Sequence, residues 1–382
     1  MSKRTLAALG FAGLLVGSAL PTSAQLIHGS PSGDNQKSSV SQWIGPVEIN
    51  VTYSSPNVHA PDGTDRHGKI WGELVPYGMA NLGFGTCGEQ CPWRGGSNEN
   101  TIFRVSRDVT IDGKALPAGS YGLHFIPGKD EWTVIFSKNS TSWGSFSYDA
   151  KEDALRVAVK AQANPYHEWL SYDFIDRDTD HATVALAWED LAVPFTIAVP
   201  GLDEIYVQGI RNQLRTEPGF SWLGWQQASQ YLVTHKLHPD EAILWAQNAV
   251  NLAGIGQENF NTLATLAQAQ TFAGKTADAK ATMDKALAHP SAGVLDLHQY
   301  GRQLLQSGDK EGALRVFELN AKRFPNQWPV NVGLMRGYAA AGRTKEALKA
   351  GKLALAQAPD DVNRTNLKNL VAKLEAGDNA IN

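Results

Sequence analysis

The stretch "CPWRGGSNENT", Cys91 to Thr101, gathers a thiol, a tryptophan, an arginine, two glycines, two asparagines and a glutamate into eleven residues. A guanidinium at Arg94 and a carboxylate at Glu99, with Trp93 as a wall and Asn98 as an amide, are groups that fix a polar ligand in an open pocket. The same groups have a structural use. Arg94 and Glu99, five residues apart across a Gly-Gly turn, can pair bidentately and anchor the loop, while Asn98 caps backbone N–H groups. Glu73, in "WGELVPYG", and His124, in "YGLHFIPG", complete the candidate set. In a hydrolase of the envelope or of extracellular glycans, Glu73 or Glu99 would serve as the acid with His124 beside it. The sequence has no nucleophile elbow, HExxH, P-loop or dinucleotide fingerprint. No catalytic residue is therefore assigned and no cofactor is expected, and the leading expectation is a non-enzymatic binding protein.

Two histidines and two aspartates, His59, Asp62, Asp65 and His67, fall within nine residues, but no metal-ligand spacing links them and a solvated loop is the plainer reading. Cys87 and Cys91, in "CGEQC", are the only cysteines. In an oxidising compartment so close a pair forms one local disulfide, which pins a loop and contributes only about 2 kcal/mol through its short ring. A zinc role would need further ligands at the usual spacing, and none flank the pair.

The elements that must position these groups divide into two halves. Between about residues 46 and 200 the apolar period is two: Leu155, Val157 and Val159 alternate with Arg156, Ala158 and Lys160, and Val184, Leu186 and Trp188 with Thr183, Ala185 and Ala187. Turn signals such as Asp112-Gly113 and Pro127 to Asp130 separate eight or nine candidate strands, which predicts an antiparallel β-sandwich or barrel. Seven of the 11 tryptophans lie between Trp43 and Trp188, and most should fill that core with the indole N–H bonded to a carbonyl.

After Pro200 the pattern becomes helical. Residues 201–220 read as a connecting helix, and 221–378 as helical repeats aligned on Gly274, Gly308 and Gly342, 34 residues apart. That period resembles the tetratricopeptide repeat. Small residues recur where helices cross, at Ala267 and Gly301 and at Ala279, Ala313 and Ala347. Met335 and Asn320 depart from the pattern and imply looser packing there. A stacked array of this kind offers a peptide- or protein-binding groove, or else serves as a buttress or dimer contact. The fold expected is thus an α+β multidomain chain, a β-sandwich or barrel followed by a tetratricopeptide-like solenoid.

Composition limits what such a protein binds. The chain has 382 residues, 42% hydrophobic and 19% charged, with a net charge of −4, so it lacks the basic footprint of a nucleic-acid partner. Lys3 and Arg4, the apolar run "TLAALGFAGLLVGSAL" and small residues at Thr22 and Ala24 fit a secretory signal over residues 1–24. The expectation is export to the periplasm or beyond, with a polar tether over 25–45 and no membrane insertion after cleavage.

The segments "RHGKIWGELVPYG" (Arg66 to Gly78), "WRGGSNENT", "LPAGSYGLHFIPGKDEWTVIFSK" (Leu116 to Lys138) and "WGSFSY" (Trp143 to Tyr148) resemble the family called domain of unknown function 2911. Its members usually run directly from the Tyr77-Gly78 position to Trp93. Here "MANLGFGTCGEQCP" intervenes and carries both cysteines. The resemblance implies a domain over 46–200 but carries over no activity and leaves the function open, so a small polar or glycan ligand on the β domain and a protein partner on the repeats remain the expected occupants.

Overall fold

The computed structural model describes residues 35–379. The signal sequence expected over residues 1–24 and the first part of the expected tether lie outside the described residues. The chain divides into two compact units at Asp203/Glu204.

In the first unit, alternating apolar residues fold into ten strands: β1 Gln36–Ile44, β2 Val47–Ser55, β3 Thr101–Val105, β4 Val109–Ile111, β5 Lys114–Leu116, β6 Gly119–Ile126, β7 Glu131–Ser137, β8 Asp153–Lys160, β9 Gln162–Arg177 and β10 His181–Ala198. They form two antiparallel sheets, β1-β2-β3-β6-β7-β8 and β5-β4-β10-β9. Neither sheet closes on itself, which makes the unit a sandwich and not a barrel. Phe103 and Phe136 of the larger sheet meet Phe195 of the smaller, with ring centroids 5.1–6.0 Å apart. All three rings are fully buried.

The tether expected over 25–45 holds a strand instead. β1 pairs with β2 along its whole length, from Gln36 opposite Ser55 to Ile44 opposite Val47. Only Ile44 of β1 is buried, so hydropathy gives no sign of it. The strand rests on its backbone ladder and on polar contacts, Asn50 Nδ2 donating to Ser39 and Ser41 Oγ at 2.8 Å each.

The 56–100 segment joining β2 to β3 is irregular and clasps the sandwich through single bridges, Asn57 to Trp169 and Trp93 to Phe125. Trp71, Trp93, Trp132 and Trp188 form one cluster with centroids 5.2–6.3 Å apart. The expected carbonyl partner is missing twice: the buried indole N–H groups of Trp71 and Trp188 have no acceptor among the described residues. Cys87 and Cys91 are disulfide-bonded at a Cα–Cα distance of 5.2 Å and pack beside Ile135 and Tyr148.

The second unit contains α1 Leu202–Gln213, α2 Trp222–His235, α3 Pro239–Asn251, α4 Phe260–Phe272, α5 Thr276–Ala288, α6 Val294–Gln306, α7 Lys310–Arg323, α8 Trp328–Ala340, α9 Thr344–Ala356 and α10 Asp361–Glu375. α4, α6 and α8 begin 34 residues apart, as do α5, α7 and α9. The aligned Gly274, Gly308 and Gly342 each follow a helix with φ of 73° to 89°, the left-handed terminator that a side chain resists. The segment expected to connect the halves is part of this unit, because Val207 of α1 is fully buried against Leu232, Ala242 and Trp245.

One pair of positions in the repeat explains how the hairpins close. Where α4/α5 has Ala267 and Met283, α6/α7 has Gly301 and Phe317, and α8/α9 has Met335 and Gly351. Each hairpin seats one large residue opposite one small one. A Cβ on Gly301 would lie 2.5 Å from the Phe317 ring, and one on Gly351 would lie 3.0 Å from Met335 Sδ. Met335 therefore does not loosen the array, since Gly351 makes room for it. Asn320 is also fully buried, and its Nδ2 donates to the Val294 carbonyl at 2.9 Å. Between the α4/α5 and α6/α7 hairpins a cleft of about 930 Å³ opens, with Met283, Leu287, Tyr300 and Leu304 in its walls.

Candidate functional site

The loop at residues 92–100 is built against β6 and β2. The Trp93 amide donates to the Phe125 carbonyl at 2.8 Å, and the Phe125 amide returns a bond to Trp93 at 2.7 Å. Gly95 follows with φ 63°, and a Cβ there would stand 2.5 Å from the Phe125 ring and 2.6 Å from Tyr172 Oη. Its carbonyl accepts from Tyr172 Oη at 2.8 Å and from Thr101 Oγ1 at 3.1 Å. The Ser97 amide donates to the Ser54 carbonyl at 3.0 Å, and Asn98 turns the chain with φ 59°.

That turn separates the two charges expected to pair. Arg94 Nη1 donates to the Asn98 carbonyl at 2.6 Å, and its guanidinium lies 4.9 Å from the Phe146 ring centroid, in space left by Gly144. Glu99 instead meets Lys37 Nζ at 3.4 Å and accepts from Ser54 Oγ at 3.1 Å. Partial burial alone would raise the Glu99 carboxyl, but its own backbone N–H, Lys37 and Ser54 outweigh that and hold it below the usual carboxylate range. Lys37 sits on β1, the strand that hydropathy conceals, so this pairing had no visible signal. Burial pushes the Arg94 guanidinium down from its ordinary value.

Trp93, Arg94 and Asn98 line a cavity of about 440 Å³, within the range of small-ligand sites. Pro56, Pro61, Pro76 and Pro92 contribute walls, and Arg66 and Trp188 complete it. Arg66 Nε and Nη2 donate to the carbonyls of Val58 and Asn57 at 2.9 and 2.7 Å. Arg66 and Trp188 escape sequence reasoning. One lies in a loop without spacing cues and the other, about ninety residues away, reads as core.

Glu99, Glu73 and His124 are not in the cavity wall. Glu73 is exposed on its turn. His124 is 2% exposed, its Nδ1 lies 2.9 Å from Ser145 Oγ, and its ring meets Tyr148 edge-on. Burial, assisted by the charge of Arg94, holds the His124 imidazole down at about 4. With an ordinary unfolded value near 6.5, the unfolded chain binds the additional proton between those limits. Stability of the β unit therefore falls as pH drops from about 6.5 toward 4, by on the order of 3 kcal/mol at the end of that window. Urea midpoints at neutral and acid pH should show this loss in the parent and not in His124→Gln. An equal slope in both would assign the loss elsewhere.

The histidine-rich loop has partners from distant strands. His59 Nδ1 lies 2.9 Å from Glu168 Oε2, and His67 Nε2 lies 2.8 Å from Asp190 Oδ2. Asp62 and Asp65 accept from the Thr64 and His67 amides at 2.9 Å. Among the described residues no three His, Cys, Asp or Glu side chains are placed to hold a metal ion.

Fold and site together define a two-unit protein, an antiparallel β-sandwich with a ligand-sized cavity followed by an array of 34-residue helical hairpins of the tetratricopeptide kind. Residues 35–197 match the family model described as Protein of unknown function (DUF2911), so the β unit is a domain of that family. No curated protein matches the chain. Among solved structures, one described as "MamA MSR-1 C2" is 13% identical, with 42% of this chain and 90% of that one covered at a TM-score of 0.28. Another, "Crystal structure of YrrB: a TPR protein with an unusual peptide-binding site", is 18% identical, with 44% and 83% covered at 0.30. Likenesses of that size carry no weight for function, and the repeat assignment stands on the 34-residue register of the helices themselves.

Proposed function

We propose that this is an exported, non-enzymatic binding protein whose helical unit docks an extended acidic segment of a partner protein along its first helices. The observation that carries the reading is a ladder at one repeat position. The ninth residues of α2, α4, α6, α8 and α10 are Gln230, Gln268, Arg302, Arg336 and Asn369. All five side chains are hydrogen-bond donors, no carboxylate occupies the position in any of the five helices, and all but the half-buried Arg336 are exposed. Amides at this spacing suit the alternating N–H and C=O groups of an extended backbone, and arginine suits carboxylates. Against the hydrolase reading, Glu99 is engaged by Lys37 and Ser54 while Glu73 and His124 stand apart from the cavity. Export rests on the leader's composition alone.

The test is fluorescence anisotropy with an extended peptide of alternating aspartate and leucine, beside its asparagine counterpart. The acidic peptide should bind about tenfold more tightly at low salt and lose that margin in Arg302→Glu and Gln268→Glu, both exposed sites. Equal binding of the two peptides, or no effect of either variant, overturns the reading.

A further inference from the structure

The cavity of the β unit has a charge imbalance that the docking of a partner on the helices does not account for. Two of its lining residues are arginines and none is an aspartate or glutamate. Of the acids near these residues, Glu99 is committed to Lys37 and Ser54, and buried Glu189, next to Trp188, to the Gly68 amide, while Asp62, which accepts from the Thr64 amide, is close enough for its charge to act on Arg66. Neither Arg66 nor Arg94 forms an ion pair among the described residues. Each spends part of its fork on backbone carbonyls, two bonds from Arg66 and one from Arg94, and the remaining N–H groups have no acceptor there. Arg94 is the partly buried guanidinium without a counter-charge, which is costly, and an incoming anion removes that cost.

The rest of the wall says what the anion is attached to. The Trp93 ring, backed by the buried Trp188 stacked on it at 6.2 Å and 15°, contributes with the prolines to an apolar wall. Trp188 is 1% exposed, and its buried indole N–H has no acceptor among the described residues. A neutral glycan would leave the Arg94 cation uncompensated, and a bare inorganic anion would leave the apolar walls unfilled.

We infer that this cavity is a binding site for a small organic carboxylate, a planar anionic head borne on an aromatic or branched aliphatic body. The planar carboxylate matches the planar guanidinium fork. The volume admits such a head with a one- or two-ring body. This site is independent of the partner groove on the helical unit.

The experiment is calorimetric titration of the full chain, with tryptophan fluorescence in parallel, using 3-phenylpropionate and indole-3-acetate, each beside its uncharged amide and its amine analogue. The acids should bind at least about tenfold more tightly than the amides, the amines should not bind, and rising salt should weaken the acids. Arg66→Gln and Arg94→Gln should each erase most of the preference of acid over amide. Arg94 also packs on Phe146, so a thermal melt accompanies each variant, and if Arg94→Gln is unfolded Arg66→Gln decides. Amides binding as well as acids overturns the assignment of the anion while leaving a ligand cavity. Neither acid binding at about 1 mM, the weak end of measurable affinity, overturns the site itself. An undiminished acid preference in folded Arg66→Gln overturns the role of the arginines.

Discussion

Truncation of Phe317 to alanine should lower the stability of the helical unit by about 3–5 kcal/mol, read as a lower urea midpoint at unchanged slope. The side chain is 1% exposed and sits on α7 facing three glycines of neighbouring helices. Added Cβ atoms on Gly301, Gly333 and Gly337 would approach its ring to 2.5, 2.5 and 2.8 Å. Glycine inside a helix costs roughly 1 kcal/mol relative to alanine, and here that cost is what lets the ring sit close to the backbone. Removing the ring leaves a void bounded by backbone, which cannot collapse, so the loss belongs at the upper part of the range. Gly333→Ala tests the same contact from the other side. It should destabilise despite its better helix propensity, because the ring has nowhere to go. A Phe317→Ala loss under about 1 kcal/mol would show that the glycines do not form the seat.

The second large effect concerns Gly95→Ala, expected to cost the β unit about 2–5 kcal/mol. A left-handed conformation costs a residue with a side chain roughly 1–2 kcal/mol, and displacement of packed neighbours adds about 1–3 kcal/mol. Those neighbours are the Phe125 ring and Tyr172 Oη, at 2.5 and 2.6 Å from the new methyl. Gly63→Ala is the control. Its φ is also positive, at 86°, but nothing lies within 4 Å of the added carbon, so only the backbone cost applies. Equal losses for the two variants in a denaturation series would remove the packing argument. A greater loss at Gly95 would establish that the loop carrying Arg94 and Asn98 is held rigidly, as a preorganised cavity wall requires.

Much of this architecture was legible in the sequence, and the residues show why. Period-two alternation in β8 and the 34-residue return of Gly274, Gly308 and Gly342 are local signals, and both led to the right elements. The cavity was half legible. Trp93, Arg94 and Asn98 were found because they cluster in one loop, whereas Arg66 and Trp188 reach the site only through the fold. The Arg94–Glu99 pair failed because reach along the chain does not determine direction, and the left-handed turn at Asn98 points the carboxylate toward Lys37. β1 was missed because serine and asparagine hydroxyl and amide contacts hold its exposed side, where hydropathy carries no information. Met335 looked like a defect because the compensating change, Gly351, stands on the following helix.

The cleft between the α4/α5 and α6/α7 hairpins has a bearing on how the array comes apart. In a stacked repeat each hairpin is held by its own stability plus the coupling to its neighbours. Coupling is weakest where fewest atoms touch, and here about 930 Å³ is left open at one junction. The helical unit then behaves as two cooperative blocks, one from α1 to α5 and one from α6 to α10. Amide hydrogen exchange should find the two blocks opening with different free energies, with the boundary between Ala288 and Val294.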